Sequence, residues 1–135
     1  MNAEEIPDVT AEQLDAILRF LPVFEQPGFV FGDWQQRPNQ WPLYHLAPEV
    51  SEFQSALYKQ QIVIRFNWPD WKKEAQRYVS DPEALAGADL LTLRKLLTTH
   101  LRADRFIGGH LVSMLESGHI AAILRRLQSL REQIE

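Results

Sequence analysis

The sequence predicts a mainly α-helical chain: one compact domain over residues 1–135, a bundle of about six helices with an ordered aromatic and proline-rich loop and at most a minor two-stranded β-ribbon. Three observations predict it. From residue 48 onward, apolar side chains recur three and four apart over five successive stretches, the period of one helical face. Residues suited to helix ends stand at the edges of these stretches, with Thr10, Asp89 and Asp104 at starts and Gly118 at an end. Between Glu25 and Pro48, four prolines and two glycines interrupt five aromatic side chains, which bars a helix while favouring burial.

The first helix follows Thr10. Gln13 stands at the capping-box spacing, and Leu14, Ile17, Leu18 and Leu21 form the apolar face until Pro22 ends or kinks it. In the loop that follows, Phe29–Phe31 offers a short strand whose natural mate is the β-branched run Ile62–Phe66. Pro48 suits a first helical turn, and Val50, Phe53, Ala56 and Leu57 carry the next helix to about Lys59. Asn67, with Pro69 and Asp70 behind it, predicts an N-terminus for a helix whose Trp68, Trp71, Ala75 and Tyr78 share one face, ending at Asp81 and Pro82. Asp89 then caps a strong helix to about Arg102, Asp104 caps one that Gly118 closes, and the last runs from about His119 with Ile120, Ile123, Leu124, Leu127, Leu130 and Ile134 inward.

Composition removes several classes of function. The chain has no cysteine, so disulfides, thiolate metal sites and cysteine nucleophiles are excluded, in keeping with a reducing cytoplasm. The acidic stretch around Glu4, Glu5, Asp8 and Glu12 is unlike an export signal, and no apolar run approaches the roughly 18 residues of a membrane span, so a cytoplasmic setting without membrane partners is expected. The net charge of −4 is unevenly spread. Residues 1–60 hold nine carboxylates against three cations, while residues 90–127 hold six cations against two carboxylates, which predicts that the basic half docks on the acidic one.

The segment THLRADRFIGGHL, residues 99–111, concentrates charge at a junction between helices. Arg102 falls in a last turn, where a cation meets free carbonyls, and Asp104 at a first turn, where a carboxylate meets free N–H groups. Arg105 is expected to pair with a carboxylate, Phe106 to pack beneath the corner, and Gly108 and Gly109 to admit a close backbone. The same residues also suit a binding site, since two guanidinium forks match a carboxylate or phosphate and Asp104 could hold one of them in place.

Together with the upstream runs FNWPDWKKEA and WPLYHLAPEVSEFQSALY, this segment resembles a bacterial family catalogued as domain of unknown function 6508, most strongly over about residues 41–130. The family's pattern falls on Trp68, Trp71, Thr98, Arg102, Asp104, Arg105, Phe106, Gly109, Gly118, Ile120, Ile123, Leu124 and Leu127. Gly108 departs from it, standing where the family often carries a glutamate. The resemblance implies a special status for the motif and no particular reaction.

Other chemistry is weakly represented. His100 and Asp104 share a four-residue spacing and His110 and His119 follow, but scattered histidines alone argue for neither a metal nor a cofactor, and none is expected. Ser113 and His110 lack an orienting third group, and no Walker or GxGxxG loop is present. A helix-turn-helix reading of the last two helices would need polar side chains at the start of the final helix, where Ile120, Ala121, Ala122 and Ile123 stand instead. The expectation is a non-catalytic module that binds a protein partner or another copy of itself. Its candidate surface is Trp68, Trp71, Arg102, Asp104, Arg105, Phe106, Arg125 and Arg126. An enzyme or sensor for a small anionic ligand held by Arg102 and Arg105 is the alternative, and nucleic-acid binding through the C-terminal helix pair comes third.

Overall fold

A computed structural model describes residues 6–134; Glu4 and Glu5, counted above in the acidic half, lie outside that range. Helix α1, Ala11–Leu18, begins at the expected box: the Thr10 hydroxyl accepts from the Gln13 N–H at 3.2 Å while the Gln13 side chain accepts from the Thr10 N–H at 2.7 Å. Pro22 sits in the first turn of the short α2, Leu21–Phe24, so the break falls just before the proline. Phe24 then gathers Phe20, Phe29, Phe31 and Phe53 around it, with ring centroids 5.1 to 6.1 Å away.

The ribbon forms, but not where the β-branched residues placed it. Strands β1, Gly32–Gln35, and β2, Leu43–Leu46, pair antiparallel with Gly32 opposite Leu46. The segment after Gln61 is denied a strand partner because its backbone is already engaged by neighbouring helices. The Ile62 N–H donates to the Leu57 carbonyl, the Ile62 carbonyl accepts from the Arg94 guanidinium, and the Ile64 N–H donates to the Thr98 hydroxyl. Phe29 and Phe31 are meanwhile held by their rings. The aromatic loop is only partly packed: Phe29 and Phe31 join the core, whereas Trp34 on β1 and Trp41 between the strands are 64% and 89% exposed.

Helix α3 spans Pro48–Lys59, as its spacing predicts. The next segment differs in its first turn, which is a 3-10 helix over Trp68–Trp71. Asn67 does not cap it but bonds the Asp70 carboxylate at 2.7 Å, and α4, Lys72–Ser80, follows. Asp81 ends α4 and also starts a further short helix, α5, Pro82–Ala86, by accepting from the N–H groups of Glu83 and Ala84. Helix α6, Leu90–Asp104, is capped by Asp89 and runs two residues past the expected end. Helices α7, His110–Glu116, and α8, His119–Arg131, meet at Gly118, whose φ of +85° is the left-handed conformation that glycine tolerates.

The result is a mostly helical bundle around α6 and α8, whose inward residues include Leu93, Leu96, Leu97, Ile120, Ile123, Leu124 and Leu127. Of the six cations in residues 90–127, only Arg125 docks on a carboxylate of the acidic half among the described residues; the other pair between the two ends of the chain comes from Arg131, beyond that stretch. Arg131 of α8 takes both carboxylate oxygens of Asp15 on α1 at 2.8 and 3.1 Å, and Arg125 pairs with Glu25. These pairs are solvent-exposed and orient the α1–α8 contact more than they stabilise it. No helix of the described residues is long and apolar enough to cross a membrane.

Candidate functional site

Helix α6 organises the groups of interest, which gather at successive levels along its length. Near its start Arg94 is 3% exposed and its guanidinium donates to three backbone carbonyls, those of Pro7, Gln61 and Ile62, at 2.8 to 3.3 Å. This arginine is part of the architecture. It fixes the N-terminal segment and the loop after α3 on the helix.

At the far end the charged corner opens. Asp104 is not at the first turn of α7, where the sequence placed it, but is the last residue of α6; its carboxylate still accepts from the Leu111 N–H at 2.9 Å, so it caps α7 from the preceding helix, across a turn whose own N-cap position is Gly109. The chain between α6 and α7 turns at Gly109, whose φ is +81°. Nothing lies within 4 Å of a Cβ built on Gly108 or Gly109, so neither serves the close approach that the sequence suggested, and only Gly109 is required by the turn.

Arg105 forms no bridge to a carboxylate among the described residues; it donates to the Tyr58 hydroxyl at 3.2 Å. Arg102 lies with its guanidinium carbon 5.7 Å from the centre of the Tyr58 ring. Phe106 does not pack beneath the corner. It is 78% exposed and tilts against Trp68, ring centroids 6.0 Å apart. Arg102, Arg105, Phe106 and Trp68, joined by Arg65 and Phe66, line one open cleft of about 320 Å³.

Four of the eight candidate residues thus converge and four do not. Asp104 faces the start of α7. Trp71 packs toward the core between Phe66 and Tyr78. Arg125 is paired with Glu25, and Arg126 donates to the Ala88 carbonyl at 2.9 Å. Sequence reasoning missed Arg65 and Tyr58, which belong to the loop after α3 and to α3 itself and reach the corner only through the fold.

It weighed His100, His110 and His119 together with Asp104 only as a metal set and set that aside, whereas the structure joins the three rings to one another. His100 sits inside α6, and His110 and His119 are the first residues of α7 and α8. His100 Nδ1 lies 3.1 Å from His110 Nε2, and His100 Nε2 lies 3.1 Å from His119 Nε2. His100 spends one ring nitrogen on each neighbour, so the three rings form a chain and do not point at a common centre. Burial, reinforced by the neighbouring rings, pushes His100 down to about 3 and His119 to about 4; burial also lowers His110, against the opposing pull of Asp104. All three are neutral near pH 7. The recognisable signal was a histidine at the first residue of two consecutive helices, both within reach of a third on the helix they pack against.

The first turn of α8 is occupied by the core, with His119, Ile120 and Ala121 buried, so its N-terminal side chains are not presented to a groove of DNA. Searches among curated proteins and among solved structures found no match. A family model does match, over residues 9–133, and the pattern that converges at the end of α6 lies inside that span: the chain belongs to the family of unknown function DUF6508.

Proposed function

We propose that this chain is a non-catalytic interaction module whose cleft at the end of α6 receives an acidic protein segment carrying an aromatic side chain. One observation carries the reading. Arg65, Arg102 and Arg105 surround an exposed Phe106 and a half-buried Trp68, and none has a carboxylate partner among the described residues, whereas Arg125 and Arg131 are paired with acids and Arg94 with carbonyls. Tryptophan, arginine and exposed aromatic rings are the residue types that dominate binding energy at protein interfaces. Guanidinium groups left without partners favour a carboxylate, and the Trp68–Phe106 pair supplies an apolar contact beside them. A cytoplasmic setting suits a chain without cysteine.

A small anionic ligand is the second reading, favoured by the i, i+3 spacing of Arg102 and Arg105 around a single Tyr58. Both are tested by titrating the protein with a glutamate-rich peptide bearing one phenylalanine, and separately with inorganic pyrophosphate, while following backbone amide signals. Peptide binding that is saturable, moves the signals of Trp68 and Phe106, and weakens at least about tenfold in Arg105→Ala supports the module. Tighter binding of pyrophosphate at the same residues turns the reading toward an anion sensor. Absence of saturable binding by the peptide at low ionic strength removes the proposal.

A further inference from the structure

Behind the turn that bears Phe106 lies a second, smaller cleft, bounded by α4, α6 and α7 and about 160 Å³ in volume. We infer that it is a binding site for a small uncharged molecule of the phenol class: a single ring with one hydroxyl, whose head group meets His110.

Size comes first. An apolar cavity of about 150 Å³ is enough to hold a benzene-sized ring, so this cleft takes one ring and little more. Its apolar wall is Ala75 and Val79 from α4, Ala103 from α6, Ile107 from the turn and Met114 from α7; Gln76 also lines it, with its amide N–H donating to the Ser80 hydroxyl at 3.1 Å. The Met114 thioether favours contact with an aromatic edge.

The polar groups on the wall set the head. His110 lines the cleft and gives its Nε2 to His100, which leaves Nδ1 with no protein partner among the described residues. Thr99 lines the same cleft, and its hydroxyl is buried without a hydrogen-bond partner. A buried hydroxyl left unmatched is uncommon, because folding strips it of water and returns nothing. Lys72 also lines the cleft, its ammonium 5.3 Å from the centre of the Trp68 ring, but an ionised head would have to leave water for a space walled largely by carbon, which costs more than burying a neutral one. A hydroxyl, donor and acceptor at once, suits both polar groups.

The histidine chain extends the consequence beyond the cleft. In a neutral chain each ring has one donor and one acceptor nitrogen, so only two polarities keep both hydrogen bonds. A ligand hydroxyl donating to His110 Nδ1 puts the His110 proton on Nε2, which donates to His100 Nδ1; His100 then donates from Nε2 to His119 Nε2, and the proton of His119 resides on Nδ1. A ligand that accepts from His110 Nδ1 selects the opposite order. His100, which also lines the cleft, passes the choice on to His119, a positioning residue, and occupancy of the cleft is legible at a ring on the next helix, α8.

The experiment uses the full chain, with the methionine methyl groups and histidine rings isotopically labelled, titrated with phenol, with toluene and with benzoate. Phenol is expected to bind saturably in the millimolar range or tighter and to move the signals of Met114 and His110. Toluene and benzoate should bind at least about tenfold more weakly, the worth of one good hydrogen bond. At saturation the ring nitrogens of His119 should report a single tautomer. In His110→Phe the preference for phenol over toluene should disappear. Val79→Trp, a change at a half-buried position that fills the cleft while leaving the histidines intact, should abolish binding of phenol in a protein that still folds. No saturable phenol binding at Met114 and His110, toluene binding as tightly as phenol, or phenol binding undiminished in Val79→Trp overturns the inference.

Discussion

Arg94 and Arg105 stand eleven residues apart on or at the end of one helix and have opposite fates. The first is buried under the N-terminal segment with three carbonyl acceptors, and the second lies at the surface with a single tyrosine hydroxyl. A guanidinium deprived of water needs its donors matched, and the chain spends the Pro7, Gln61 and Ile62 carbonyls on doing so at Arg94. Arg105 is exposed and Arg102 half-buried, and neither guanidinium meets a carboxylate or a backbone carbonyl among the described residues, so the fold matches those charges far less than it matches Arg94. Two arginines on the same element therefore divide into one explained by architecture and one that architecture does not explain.

The comparison breaks most visibly at Arg94. Arg94→Met keeps much of the stem's bulk but leaves the buried Ile62 carbonyl without its guanidinium partner and frees the segment that carries Pro7. Charged hydrogen bonds of this kind contribute about 1.5 to 3 kcal/mol each, not additively, so a loss of about 3 to 4 kcal/mol in urea denaturation is expected. A change below about 1 kcal/mol would put Arg94 in the same class as the surface pair.

The histidine chain comes next and separates buried polar groups from buried charge. His100→Leu removes the middle ring and strands one nitrogen on each neighbour, for an expected cost of about 2 to 3 kcal/mol at neutral pH. It also changes the pH profile. In the unfolded chain these histidines protonate near 6.5, whereas in the fold His100 and His119 are held down to about 3 and about 4. Between those values the unfolded state binds more protons, so the stabilisation is complete above about pH 6.5 and is lost as pH falls through that window. Each histidine contributes a slope on the order of 1 kcal/mol per pH unit. Melting temperatures at pH 7.5, 6 and 5 should fall steeply in the native protein and less steeply in His100→Leu; parallel profiles would mean that the rings take up protons in place.

How much of this was legible depends on how far apart the partners lie in the chain. Thr10 with Gln13, Asp89 with Thr92 and the glycine after α7 act within three residues, and each was readable. Arg102, Arg105 and Phe106 were readable as a group because they share one turn, and Trp68 because it recurs in the family's pattern. Tyr58 meets Arg105 from 47 residues away, and Arg94 finds Pro7 from 87, distances at which no spacing rule applies. The strand expected at residues 62–66 failed for the same reason: β-propensity is read locally, but Arg94 and Thr98 had claimed the backbone from outside. His100, His110 and His119 were each noticed, and what escaped was that two helix starts place their rings on either side of a third.

The smallest effects sharpen the comparison furthest, because they fall on adjacent residues. Asp104 and Arg105 were read together as one charged corner, yet the carboxylate accepts from the Leu111 N–H while the guanidinium reaches only Tyr58 at the surface. Asp104→Ala removes a cap from α7 and should cost about 1 kcal/mol, within the roughly 0.5 to 2 kcal/mol range of such changes. Arg105→Ala should change stability by less than about 0.5 kcal/mol, because an exposed arginine without a carboxylate has little folding energy to lose, and Arg102→Ala by no more than about 1 kcal/mol, since Arg102 is half-buried beside the Tyr58 ring. Equilibrium unfolding of the three variants side by side makes the distinction. If Arg105→Ala costs as much as Asp104→Ala, the corner is one structural unit and the cleft loses its claim to residues kept for a partner; if it costs nothing, a charge sits beside an exposed phenylalanine with no use in the fold, and binding is the remaining use for it.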